Sequence, residues 1–114
     1  MRDDSERRRT DILQGMLDMV ILKTLAPEAL HGYAIAQRIR DVTLKRLQVP
    51  QGSLYPALHR LENKGLIKGE WMPTATGRDA KVYRLTPKGR RQLEDEVAGW
   101  HDLAATMSLV LGSD

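Results

Sequence analysis

One stretch limits the possible folds more than any other. Residues 51–89 read QGSLYPALHRLENKGLIKGEWMPTATGRDAKVYRLTPKG. An amphipathic helix comes first. At about 100° per residue, Leu54, Leu58 and Leu61 fall on one face of it. Gly52, Ser53, Pro56, His59, Arg60 and Asn63 fall opposite, and Tyr55 sits on the flank. Lys64-Gly65 ends the helix with a basic residue and one free to turn left-handed. Two short strands follow, expected at residues 66–71 and 81–85, with a wing-like loop over 72–80 that turns at Gly77. Thr86-Pro87 then supplies an N-cap and a proline at the first helical position.

The order helix, β-hairpin, helix implies a mainly α (α+β) fold, a winged helix-turn-helix. The remaining segments complete it. Asp11 and Gln14 resemble a capping pair, and apolar residues from Ile12 to Leu25 cover nearly the whole circumference of an N-terminal helix. A helix apolar all round is buried on more than one side. In a chain of 114 residues, one of those sides is expected to belong to another subunit, and Gly15 would admit a close neighbour. Pro27 stops this helix, and residues 27–32 read as a loop. A second helix is expected over residues 32–47, with Ile35, Ile39 and Val42 facing inward. Pro50 can open the third helix, but its start stays open between Pro50 and Ser53. With a start at Pro50, Pro56 clashes with the carbonyl of Gly52 and bends the helix; with a start at Ser53 it costs nothing. The last helix is expected to run from Pro87 to Leu111. Its residues Leu93, Val97, Trp100, Ala104, Met107 and Leu111 are spaced 4-3-4-3-4, a heptad seam. The expected organisation is a charged tail at residues 1–10, a winged domain at 11–86 and a C-terminal dimerisation helix at 87–114.

Charge separates along the chain. Residues 31–91 hold thirteen Lys/Arg against four Asp/Glu, a net of +9, while residues 92–114 hold five acids and no Lys or Arg. A basic block beside an acidic one suggests a polyanion partner. Zero cysteines exclude disulfides and thiolate metal sites and suit a reducing cytoplasm. No apolar run is long enough for a membrane span, and the first residues lack the apolar region of a secretory signal. His31, His59 and His101 lack metal-ligand spacing. No nucleophile elbow, phosphate loop or dinucleotide fingerprint is present. No enzyme and no cofactor is expected.

The wording of several segments resembles the PadR family of bacterial transcriptional regulators: LQGMLDMVILKTL at Leu13 to Leu25, HGYAIAQRI at His31 to Ile39, SLYPALHRLENKGLI, and GRDAKVYRLTPKG. The motifs agree in order and spacing and cover most of the chain. The resemblance implies a repressor that binds a pseudo-palindromic operator in double-stranded DNA as a homodimer. It places DNA contacts on Gln51, Ser53, Tyr55, His59 and Arg60 of the third helix and on Arg78 and Lys81 of the wing. On the residues alone, Gly52 and Ser53 are small enough for the backbone to approach phosphate, Gln51, His59, Arg60 and Asn63 are the outward hydrogen-bonding side chains, and Pro56 shares their face. The expected dimer interface combines Leu13, Met16, Leu17 and Val20 with Leu93, Val97, Trp100, Ala104, Met107 and Leu111. Trp100 is either an interface core residue or, as in family members with a comparable Trp, a stacking surface for a small aromatic effector. The alternative to DNA reading is a winged-helix protein-interaction module.

Overall fold

The computed structural model describes the backbone of residues 4–112 and the side chains of residues 15–112. Four helices and three short strands follow in the order α1 (Asp4–Leu25), β1 (Leu30–His31), α2 (Gly32–Val42), α3 (Gln51–Asn63), β2 (Ile67–Pro73), β3 (Asp79–Leu85) and α4 (Pro87–Leu111). The strands form one antiparallel sheet in the order β1-β3-β2. This is the winged helix-turn-helix expected from residues 51–89.

The core lies where α1, α2 and α3 meet the root of the wing. Ile21, Leu22 and Leu25 of α1 pack with Ile35 and Ile39 of α2, with Leu54, Ala57, Leu58 and Leu61 of α3, and with Ile67 and Tyr83 of the sheet. These side chains are the apolar stripes of amphipathic elements, and burying them away from water is the main driving force. Thr86 helps to fasten the start of α4 to this core. The Thr86 hydroxyl accepts from the Gly89 N–H at 3.0 Å and donates to the Gly65 carbonyl at 2.7 Å. Gly89 is buried under the Leu66 carbonyl, so close that a Cβ would collide with that backbone.

Helix α4 has the expected bounds; other boundaries differ. α1 begins at Asp4, seven residues before Asp11. Its extra turns are written in Glu and Arg, which are good helix formers. Acids that precede bases also suit the helix dipole.

α2 ends at Val42, not at residue 47, and Val42 faces solvent. The N–H of Lys45 reaches the Arg40 carbonyl at 2.7 Å, and the N–H of Leu44 reaches that of Asp41 at 3.2 Å. This is a Schellman closure. It forces Leu44 and Lys45 to φ values of 55° and 66°. The Thr43 hydroxyl stabilises the break, donating to the Ile39 carbonyl at 2.8 Å and accepting from the Leu47 N–H at 3.1 Å. The same closure ends α3, where the N–H of Leu66 reaches the Leu61 carbonyl at 3.0 Å. There Gly65, at φ 75°, occupies the left-handed position.

α3 starts directly after Pro50, so Pro56 lies inside it. The Gly52 carbonyl therefore lacks the N–H that residue 56 would otherwise donate to it. The hairpin is longer than expected and its loop shorter. Strands pair as far as Pro73 and Asp79, leaving only residues 74–78 as loop. Thr74 closes it, its N–H and hydroxyl both donating to the Arg78 carbonyl at 2.9 and 2.6 Å. Strand β1 lies in the segment expected to be a plain loop, with Leu30 opposite Tyr83 and His31 opposite Val82.

Candidate nucleic-acid interface

Helix α3 buries Leu54, Ala57, Leu58 and Leu61. The direction opposite that face carries Gly52, Pro56, His59 and Asn63, which fall within an arc of about 60° at helical spacing. All four are exposed, and open space surrounds Gly52. The stripe pairs two positions without bulk near the N-terminus with two hydrogen-bonding side chains further along. Gln51 and Ser53 are exposed in the first turn beside it. Tyr55 is half exposed and packs its ring edge against Gly32, where a Cβ would sit 3.0 Å from the ring.

Arg60 does not join this stripe. Its guanidinium donates to Asp18 Oδ1 of α1 at 2.6 Å. At the helical spacing it points about 70° away from the outward direction, towards α1. Arg60, expected on the outward face, is thus turned towards α1 and held there by a carboxylate. Asp18 is what the sequence reading missed. Its signal was present: it is a lone acid inside the apolar run GMLDMVIL.

Lys81 is also occupied. Its ammonium donates to Glu62 Oε1 of α3 at 3.1 Å and lies 5.5 Å from the Tyr83 ring centroid. It ties β3 to α3 instead of standing free on the wing. Arg78 is exposed at the loop, beside Gly77 at φ 86°. Arg84 pairs with Glu70 across the hairpin.

Between α3 and the wing runs a cleft of about 520 Å³, lined by His31, Gly32, Tyr33, Tyr55, His59, Glu62, Trp71, Ala80, Lys81 and Tyr83. The hairpin register explains its aromatic wall. Trp71 pairs with Lys81, two residues beyond the pair of Gly69 and Tyr83, so Trp71 continues the core face of the sheet outward. Tyr83 is buried and Trp71 is 68% exposed, because the face outruns the helix that covers it. Burial pushes the Tyr83 phenol up; the Lys81 ammonium draws it down in part, and Glu62 and Tyr55 push it up further. The hydroxyl therefore stays protonated at neutral pH.

Among the described residues no group of His, Asp or Glu is placed to hold a metal ion, and no helix is long and apolar enough to cross a membrane.

The sequence matches the Transcriptional regulator PadR-like family over residues 21–95. The chain belongs to that family. Transcriptional regulator Rv3488 of Mycobacterium tuberculosis is 37% identical to this PadR-like chain over 84 residues, covering 74% of this chain and 75% of that protein. A PadR-like transcription factor from Bacteroides fragilis has the same fold, with a TM-score of 0.79 and 33% identity over 91% of this chain and 98% of its own. Bacillus subtilis PadR, solved in complex with operator DNA, aligns with a TM-score of 0.65 and 27% identity over 71% of this chain and 46% of its own. Members of the PadR-like family are transcriptional regulators, not enzymes.

The residues expected at a dimer interface divide in two. Leu93 is buried in this chain's own core, and Leu17, Val20 and Val97 pack against that core. Leu93 is thereby corrected from interface to core: α1 and α4 pack on each other within one chain, and that packing uses the first turns of the heptad seam. Trp100, Ala104, Met107 and Leu111 are exposed, as is Met16 of α1. The side chain of Leu13 lies outside the described residues.

Proposed function

We propose that this PadR-like regulator is a homodimeric DNA-binding repressor of the cytoplasm. The stripe of Gly52, Pro56, His59 and Asn63 enters the major groove of each half-site. His59 and Asn63 carry base readout, Gln51, Ser53 and Tyr55 contact the backbone, and Arg78 reaches phosphate from the wing. The observation that carries this reading is the stripe itself. It is a bare, rigid helix face with hydrogen-bonding side chains, set in the part of the chain whose net charge is +9. DNA recognition needs that combination of phosphate attraction and presented side chains. The fold shared with a regulator solved on operator DNA supports it.

Pairing of α4 with a second copy supplies the two-fold axis that a pseudo-palindromic operator requires. Residues 98–112 are exposed throughout, yet they include Trp100, Leu103, Met107, Leu109, Val110 and Leu111. Such a helix buries its apolar side only against a partner. Trp100 on that seam offers a wall for a planar aromatic effector.

The test is an electrophoretic shift with the DNA upstream of the chain's own gene, repeated over a salt series with random duplex as competitor. A specific band that weakens steeply with salt is expected. Binding of neither duplex, or binding that ignores salt, would refute the DNA reading and favour a protein-interaction role for the same face.

A further inference from the structure

Helix α3 is held on both flanks by charges from different neighbours. On one flank Arg60 meets Asp18 of α1 at 2.6 Å, with side chains 29% and 16% exposed. On the other, Glu62 meets Lys81 of β3 at 3.1 Å. At helical spacing, Arg60 and Glu62 lie about 160° apart around the axis. The buried face between them is made only of leucine and alanine. Apolar contact is non-directional, so that face fixes the depth of α3 more firmly than its rotation. A charge-assisted hydrogen bond is directional, and losing one partner strands a partly desolvated charge. The two pairs therefore act as opposed stays on the rotation of α3.

Asp18 is the stay that reaches the rest of the molecule. It is the only acid of α1 between Gly15 and Leu25, and α1 packs against α4. Beside it, where α1, α3 and α4 converge, lies a cavity of about 230 Å³ lined in part by Lys64, Lys88, Gln92 and Glu96. Leu61 and Leu66 form its floor, so at this junction the ion pair stands at the polar edge of the apolar contact between α1 and α3.

We propose that Asp18 is a positioning residue for operator selectivity: through Arg60 it sets the rotation at which α3 presents His59 and Asn63. The proposal rests on the reading that α3 enters the major groove. Asp18 lies on the α1 side of α3, away from the outward stripe, and acts without touching DNA. Because α1 lies between α3 and the α4 seam, any shift of α1 against α3 turns the reading stripe.

The experiment measures affinity for an operator obtained by in vitro selection and for random duplex, using the full chain, together with melting temperatures. Asp18→Asn should lower the operator-to-random ratio about tenfold, the scale of one lost base contact, with random-duplex affinity and salt slope kept. The charge swap Asp18→Arg with Arg60→Asp should restore the ratio to within about threefold. A merely structural role would lower the melting temperature and leave the ratio unchanged, which would overturn the proposal. So would a folded swap variant whose ratio stays at the Asp18→Asn level, because Arg60 would then be reading DNA itself. Should the swap fail to fold, the Arg60 Nε–H resonance in the wild type decides. A signal unmoved by operator supports positioning, and a shifted one overturns it. A wild-type ratio of one refutes the groove reading, and the positioning role falls with it.

Discussion

Among the described residues, the side chains of His59 and Asn63 have no hydrogen-bond or ion-pair partner, in contrast to Arg60 and Glu62 of the same helix. Gln51 and Ser53 are equally exposed but sit at the helix start, where the backbone of a duplex is the nearer target. His59→Ala should therefore cost roughly 1–3 kcal/mol at the operator and little on random duplex. Equal losses on both would remove His59 from base readout. Arg60 shows how far a residue's role could be read from the sequence. A 100° wheel placed it on the polar side of α3, which is correct. The wheel could not show that α1 offers a carboxylate there, because that partner is 42 residues away. Gly89 was legible only as part of a PKG helix start, and its real constraint is the Leu66 carbonyl. Gly89→Ala should destabilise the fold by about 3 kcal/mol or more, since backbone and not a movable side chain must give way. A thermal melt within a degree or two of wild type would contradict this.

Helix ends were readable where the local chemistry was conventional. Lys64-Gly65 and Thr86-Pro87 both marked true boundaries. The end of α2 was not readable, although it uses the closure that ends α3, because Leu44 occupies the position that Gly65 fills there. A β-branched pair, Val42-Thr43, was the only hint. The left-handed conformation costs a leucine about 1–2 kcal/mol, and Leu44, 80% exposed, recovers little by burial. Leu44→Gly should raise stability by up to about 1 kcal/mol, the relief being offset in part by glycine's entropy in the unfolded chain. Chemical denaturation with an unchanged m-value and a higher midpoint is the expected result. Strand β1 was hidden for a different reason: two residues are too few for alternation to register. The heptad seam of α4 was legible as a pattern but not by destination. The same spacing serves the chain's own core at Leu93 and solvent-facing positions from Trp100 onward. Met107 lies past the last core contact, so Met107→Asp should dissociate the proposed dimer and leave the monomer fold intact. Light scattering at micromolar concentration that still finds a dimer would move the interface elsewhere.

For the whole molecule, charge divides just inside the last helix. The winged part and the first turn of α4 carry the basic excess and residues 92–114 the acidic one, which directs a duplex to the wing and away from the helical overhang. Several basic side chains are neutralised internally, among them Arg60, Lys81, Arg84 and Arg38, which pairs with Glu28. Fewer cations are thus available to phosphate than the composition suggests. The logarithmic salt slope of operator binding should therefore fall short of the value for all thirteen Lys/Arg of residues 31–91. Each phosphate contact contributes about 0.9, and Arg78→Ala should remove about one unit where Lys81→Ala removes less. Identical slopes for the two variants would show that the Glu62–Lys81 pair opens on DNA.

The overhang of α4 also bears on dosage. In the proposed dimer, where a second copy covers the apolar side of α4, the operator-competent species is a product of two encounters. While free monomer predominates, the population able to span both half-sites grows as the square of the chain's abundance. A twofold rise in expression then yields about a fourfold rise in that species by mass action. A gene under such a regulator would answer to how much regulator the cell holds more steeply than in proportion, with no cooperative step on the DNA.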